Sequence, residues 1–160
     1  MFRSGAFKIS IIGVLAVASA AAASPTATVT LGGTVTSSLE ITSVPTAAAS
    51  ALDLSGGQKI VKISDIEMST NNEQGLTLTA TSGNLTKSGG TSIAYKVTSV
   101  ANAASAPIAA AFTIASGSDY TVGTVASGSV DKDLYILYTP LTLQDPGDYA
   151  GEVDLTVADN

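Results

Sequence analysis

Apolar and polar residues alternate along much of the chain after residue 25, which is the period of a β-strand with one buried face. The most regular run covers residues 26–36 and reads Thr-Ala-Thr-Val-Thr-Leu-Gly-Gly-Thr-Val-Thr. Threonines fill most of one face of this run. The other face carries Val29, Leu31, Gly33 and Val35. The pattern predicts an amphipathic N-terminal strand over residues 24–36.

Further short apolar runs follow, separated by turns rich in glycine, serine and asparagine. They cover residues 39–41, 60–68, 76–80, 93–97, 111–114, 120–125, 134–138 and 149–157. Seven or eight short strands of this kind predict an all-β chain, folded as an immunoglobulin-like antiparallel sandwich. The predicted core consists of residues on the apolar face of their strands: Ile66, Leu78, Tyr95, Val97, Ile136, Tyr138, Val153 and Leu155.

Two alanine-rich stretches, residues 45–50 and 101–110, interrupt the alternation. Each contains a proline, Pro45 in the first and Pro107 in the second. Proline lacks a backbone N–H and opposes a regular helix or a central strand. These stretches are therefore predicted to be surface loops.

The first residues have the layout of a secretory signal peptide. Arg3 and Lys8 precede a short apolar run, and small residues follow as far as Ala23. Cleavage after Ala23 would remove residues 1–23 and leave residues 24–36 as a free N-terminal strand ahead of one sandwich domain, residues 37–160. The alternative is an uncleaved anchor helix. The first interpretation predicts an exported protein with no membrane span in its mature chain.

The composition excludes most common kinds of catalytic and metal site. The chain has no cysteine and no histidine, which excludes thiol catalysis, disulfides, Ser-His triads and the usual zinc sites. Its formal net charge of −6 argues against nucleic-acid binding. The acidic groups at 131–133 and 145–148 lack the spacing of a calcium loop and are predicted to be solvated turns. We therefore expect no enzyme activity, cofactor or metal.

Three stretches together resemble chaperone–usher pilin subunits. The resemblance is greatest to the cysteine-free alternate-class major pilins and to the spore-coat-U-like fimbrial proteins. The stretches are Thr28-Val-Thr30 with Val35, Leu39 and Ile41; Met68 to Asn72 running into Leu76-Thr-Leu78; and Gly147-Asp-Tyr149-Ala-Gly151-x-Val153-x-Leu155-x-Val157.

The resemblance implies a fibre subunit. Such pilins are sandwiches that lack their final strand, and a periplasmic chaperone fills the resulting groove until the N-terminal strand of the next subunit replaces it at an outer-membrane usher. On this chain the donor residues would be Val29, Leu31, Gly33 and Val35. The strand bordering the groove would carry Tyr149, Gly151, Val153, Leu155 and Val157. The product would be a head-to-tail homopolymer, exported through the periplasm to the cell surface as a fimbria for adhesion.

The residues leave a second class of function open. A self-contained secreted sandwich could act as a binding or matrix module. In that case residues 26–35 would pair within their own chain, and the protein would be monomeric.

Overall fold

The computed structural model describes residues 27–160, which contain eight β-strands and two single turns of 3₁₀ helix. The predicted signal peptide (1–23) and residues 24–26 of the predicted N-terminal strand lie outside the described residues. No helix in the described part is long and apolar enough to cross a membrane. The strands are β1 Leu39–Pro45, β2 Lys59–Thr70, β3 Leu76–Thr81, β4 Asn84–Leu85, β5 Ile93–Ala101, β6 Asp119–Gly123, β7 Gly128–Tyr138 and β8 Asp154–Asp159.

Residues 35–160 form one compact unit, and residues 27–34 are not part of it. Within this unit the strands form two antiparallel sheets. One sheet has the order β1-β2-β7-β5-β4 and the other has the order β6-β3-β8. The prediction of an all-β antiparallel sandwich is confirmed.

Six of the eight strands follow the strand order of an immunoglobulin sandwich. In such a sandwich one sheet contains strands A, B, E and D, and the other contains C, F and G. Here β1, β2, β7 and β5 occupy the first four positions in the same order, while β3 and β8 occupy those of C and F. Within the described residues no strand lies on the free side of β8, where strand G would pair.

The core lies between the two sheets and follows the predicted alternation. In β3, Leu76, Leu78 and Ala80 are buried while the intervening threonines face outwards. The predicted core residues Ile66, Leu78, Tyr95, Val97, Ile136 and Tyr138 are all buried. Val153 and Leu155 pack against the core but are only partly buried. They line an open groove, which explains their exposure.

Three predicted elements differ from the structure. No strand is assigned before Leu39, because residues 27–38 have no ladder partner within the described chain. The predicted strand at 111–114 is replaced by the end of a 3₁₀ turn, Ala109–Ala111, and by Phe112, which is buried apart from the main core. The closing strand begins at Asp154 rather than at residue 149.

The acidic group at 131–133 is not a solvated turn, as was predicted, but part of β7. Asp133 is buried, and one of its carboxylate oxygens lies 2.9 Å from the Lys62 ammonium on β2. The other oxygen accepts a 3.2 Å hydrogen bond from the backbone N–H of Ala103. A buried carboxylate needs such partners, since an unpaired charge in the interior is strongly destabilising.

Candidate functional site

The most distinctive feature of the sandwich is an apolar groove between two unpaired strand edges. β1 is the edge strand of the five-stranded sheet, and β8 is the edge strand of the three-stranded sheet. In the described chain each pairs with a neighbour on one side only. Between them lies a cavity of about 620 Å³. An unpaired edge presents a row of free N–H and C=O groups, which is a template for another strand.

The groove is closed at one end by hydrogen bonds. Asp159, the last residue of β8, accepts hydrogen bonds from the Ser37 hydroxyl (2.8 Å) and the Thr70 hydroxyl (2.6 Å). These bonds hold β8 against the start of β1. We call this the closed end of the domain. The opposite end, at Pro45 and Asp154, we call the open end.

Small side chains on β1 leave the groove empty towards the open end. The inward residues Leu39 and Ile41 pack against the core, but Ser43 and Pro45 follow on the same parity. The Ser43 hydroxyl is satisfied by the Ser64 hydroxyl at 2.6 Å. Neither side chain is large enough to fill the space between the sheets, so a cavity remains there.

The walls of the groove are mostly aliphatic. A β-bulge between Lys62 and Ser64 interrupts the pairing of β2 with β7, and Ile63 of this bulge faces the groove. The loop after β1 adds Leu52 and Leu54. Other large apolar residues of the lining include Leu85, Tyr95, Leu134, Ile136, Val153 and Leu155. Polar groups are also present in the lining, on Ser43, Ser50, Ser64, Asp148 and Glu152. The aliphatic part of the groove is suited to apolar side chains.

The segment 149–153 forms one wall of the groove and is held in place by hydrogen bonds to Thr86 and Tyr95. Ala150 exchanges two backbone hydrogen bonds with Thr86, of 2.7 and 3.0 Å. The phenol of buried Tyr95 donates to the backbone carbonyl of Glu152. Burial raises the pKa of Tyr95, and the carboxylates of Asp154 and Glu152 raise it further. The phenol therefore keeps its proton, and its hydrogen bond, throughout the neutral range.

Gly151 lets this wall pack closely on β4. A β-carbon at this position would lie 2.9 Å from the carbonyl oxygen of Asn84 and 3.1 Å from a methyl group of Leu85. Only a residue without a side chain fits at this distance from the neighbouring backbone.

Four of the five residues predicted to border the groove line its wall: Tyr149, Gly151, Val153 and Leu155. The fifth, Val157, lies further towards the closed end and packs against the core. They do not belong to one strand, since Tyr149, Gly151 and Val153 precede β8.

The predicted donor residues expose their apolar side chains. Val29, Leu31 and Val35 are 80, 89 and 87 % exposed. A β-carbon placed on Gly33 would meet no atom within 4 Å, and the same holds for Gly32.

Other groove residues were missed by the sequence analysis, among them Ser43, Ser64, Leu52 and Leu54. One signal was available. Ser43 and Pro45 break the apolar parity that Leu39 and Ile41 begin, and such a break marks a face that is not filled by its own strand.

Among residues 27–160 no group of three or more acidic side chains is placed to hold a metal ion. Comparison with protein-family models, with curated proteins and with solved structures finds no match for this chain. We therefore infer function from the geometry of the groove.

Proposed function

We propose that this protein is the exported structural subunit of a surface fibre, in which the N-terminal segment of one copy occupies the groove of the next. The observation that carries the proposal is the apolar groove between the two unpaired edges of β1 and β8. It lies where the last strand of an immunoglobulin sandwich would complete the fold. An added strand would pair on both sides at once.

The N-terminal segment has the chemistry that such a groove requires. Residues 27–36 contain no charged side chain, and their apolar residues share one face. In β-augmentation the main-chain hydrogen bonds provide affinity, and alternate side chains fill pockets. Full burial of a Val or Leu side chain contributes about 1.5–3 kcal/mol. Burial of Val29, Leu31 and Val35 would thus favour assembly strongly.

The shape of the groove favours one direction for the inserted strand. The segment continues into its own domain at Leu39, so its C-terminal side must leave the groove at the open end. Its N-terminal side then points towards the closed end, where Asp159 is tied to Ser37 and Thr70. The inserted strand would therefore run parallel to β1 and antiparallel to β8.

An unassembled subunit would present both an apolar groove and an apolar segment, which together favour aggregation. A periplasmic chaperone that fills the groove, and an outer-membrane usher that exchanges it, would solve this problem. We propose both as partners. The finished fibre would stand on the cell surface.

The test compares two triple variants of the purified mature protein. Replacement of Val29, Leu31 and Val35 by serine removes the apolar face of the segment. The matched control replaces Thr28, Thr30 and Thr34 on the other face by serine. We expect wild-type and control proteins to form ladders of oligomers that survive SDS without boiling, and the first variant to remain monomeric. A monomeric wild-type protein would contradict the proposal and favour the self-contained binding module.

A further inference from the structure

The loops of the sandwich are sorted to its two ends. Thr70 pairs with Gly128 and Leu76 with Asp159, so the β2–β3 turn and the β6–β7 turn both lie at the closed end. Lys59 pairs with Tyr138, so the loop that follows β7 begins at the open end. β7 has 11 residues, which separates the two ends by roughly 36 Å.

Large apolar side chains are exposed at both ends. At the closed end, Val125 in the β6–β7 turn is 92 % exposed. At the open end, Leu143 in the loop after β7 is 91 % exposed, and Leu141 beside it is also exposed. The loop is held in place by Gln144, whose side chain accepts from Leu141 N–H (3.1 Å) and donates to the Tyr149 phenol oxygen (2.7 Å). In the other turn, the backbone N–H of Thr124, next to Val125, donates to the Leu76 carbonyl (2.8 Å).

The residues just before β1 are fastened to the closed end. The side chain of Asn71 donates to the Thr36 carbonyl (2.8 Å) and accepts from the Ser38 N–H (2.9 Å). The Ser37 hydroxyl, between them, donates to Asp159 (2.8 Å). These bonds leave almost no free linker between the segment and its own domain.

A short, fastened linker brings neighbouring subunits together. In the proposed fibre, Val35 lies near the open end of the receiving subunit. Leu39 is four residues further along, a span of at most ~14 Å in a fully extended chain. The closed end of the donating subunit must then abut the open end of the receiving one.

Resting on the proposed function, we propose that these two ends form a second subunit contact, in which Val125 of one copy packs against Leu141 and Leu143 of the next. The occupant of the exposed Leu141–Leu143 loop is thus a second copy of this chain. The contact joins two different surfaces, so it repeats along the fibre without closing into a ring. It would make the fibre stiff instead of a string of loosely jointed domains.

Engineered cysteines test this contact directly, because the chain has none of its own. Val125→Cys is combined with Leu143→Cys, and the polymer is treated with a short thiol-to-thiol cross-linker. The control pair is Thr121→Cys with Leu143→Cys. Thr121 is exposed in the middle of β6, away from both ends of the sandwich. Tethering raises the effective concentration of neighbouring groups to the millimolar range. We expect the 125–143 pair to cross-link between chains roughly a thousandfold faster than micromolar monomer does.

A second variant separates the contact from strand insertion. Six Gly and Ser residues are inserted between Val35 and Thr36 of the 125–143 cysteine protein, which leaves the Asn71 hydrogen bonds intact. Polymer should still form, while cross-linking falls to the rate of the control pair. Wild-type polymer combined with equal cross-linking of the two cysteine pairs would overturn the contact and leave the donor-strand function standing. Absence of polymer from the wild-type protein would overturn both.

Discussion

At the scale of single residues, the groove wall has no room for a side chain at Gly151. Gly151→Ala would place a methyl group 2.9 Å from the Asn84 carbonyl oxygen, which belongs to the backbone and cannot rotate away. Overpacking of this kind costs about 1–3 kcal/mol. We expect the free energy of unfolding, measured by urea denaturation, to fall by that amount.

Gly123→Ala is the matched control for this change. Its β-carbon would come no closer than 3.5 Å to a neighbour, the Thr77 hydroxyl. We expect a change within roughly 0.5 kcal/mol. Equal stability of the two variants would mean that the wall does not pack on β4 as described.

Tyr95 gives a pH-dependent prediction. Its hydrogen bond to the Glu152 carbonyl holds the groove wall in place. Tyr95→Phe removes this bond and should lower the free energy of unfolding by about 0.5–1.5 kcal/mol at neutral pH. Burial, followed by the charges of Asp154 and Glu152, raises the pKa of this phenol above its usual range. A raised folded-state pKa means that the stabilisation is complete below the unfolded pKa and disappears as the pH rises through the folded pKa.

The measurement is unfolding free energy against pH. Wild-type stability should be flat with respect to this phenol up to about pH 10 and should decline above it. The decline should be shallower in Tyr95→Phe. Tyr138→Phe is the comparison. Burial and then the Asp53 charge raise the pKa of Tyr138 too, but its phenol donates to the backbone carbonyl of Asp53 and not to the 149–153 segment. An unchanged alkaline slope in both variants would refute the assignment.

Residue parity in the sequence predicted which face of each strand is buried, but not what covers it. Leu78 and Ile136 were assigned to the core correctly because alternation alone determines their face. Asp133 was missed, because its burial depends on Lys62 and on Ala103, more than 25 residues away in the chain in each case.

At the scale of elements, strands with strict alternation were predicted well. β2, β3 and β5 contain their predicted ranges and β6 overlaps its range, whereas β7 contains the predicted residues 134–138 but begins earlier, at Gly128. The errors occur where a short apolar run serves another purpose. Phe112 is buried outside the main core by a loop, and residues 149–153 make one bridge to Thr86 and bound the groove before β8 begins. Neither arrangement has a local period that distinguishes it from a strand.

The groove could be predicted from the sequence only in outline. The family resemblance and the parity of residues 149–157 indicated which residues border it. The part of the lining that contains Ser43, Leu52 and Ser64 could not be predicted. These residues come together only when β1 pairs with β2, which contains a bulge.

The element-scale prediction concerns the N-terminal segment as a ligand. A chain that begins at Ser37 should gain stability from a peptide of residues 24–36, since that peptide would complete the sandwich. At a peptide concentration 100 times its dissociation constant the gain is about 2.7 kcal/mol. It is measured as a saturable rise in melting temperature.

The control peptide carries serine in place of Val29, Leu31 and Val35. It keeps the backbone hydrogen-bonding groups and loses the apolar face. An equal rise with both peptides, or none with either, would be inconsistent with occupation of an apolar groove.

At the scale of the whole molecule, an edge strand at each side of one groove is both a hazard and a means of assembly. Unmanaged, such edges aggregate. The sandwich confines them to a cavity of about 620 Å³ that is closed at Asp159. Contacts between a segment at one end and a groove on the next copy do not close, so they build fibres. In the proposed fibre the sequence of a single subunit thus encodes both partners.

Gly33 and Gly32 provide the sharpest test of that assembly. In the single chain a side chain meets no neighbour at either position, so neither Gly33→Leu nor Gly32→Leu should disturb the unassembled subunit. The two positions have opposite parity in an inserted strand. Gly33 would point into the groove of the next copy, whereas Gly32 would face away. Overpacking there costs about 1–3 kcal/mol. At 1.4 kcal/mol per factor of ten, each subunit junction would weaken about 5- to 150-fold.

Fibre length measured by electron microscopy, together with the SDS-resistant ladder, distinguishes the two variants. Gly32→Leu should polymerise like the wild-type protein. Gly33→Leu should remain as folded, chaperone-bound monomer, because the defect lies in the junction and not in the domain. Fibres of wild-type length from Gly33→Leu protein would show that Val29, Leu31, Gly33 and Val35 do not form the inserted face. Loss of polymer in both variants would instead place the whole Gly32-Gly33 pair against a surface that requires glycine, and the parity of the inserted strand would be wrong.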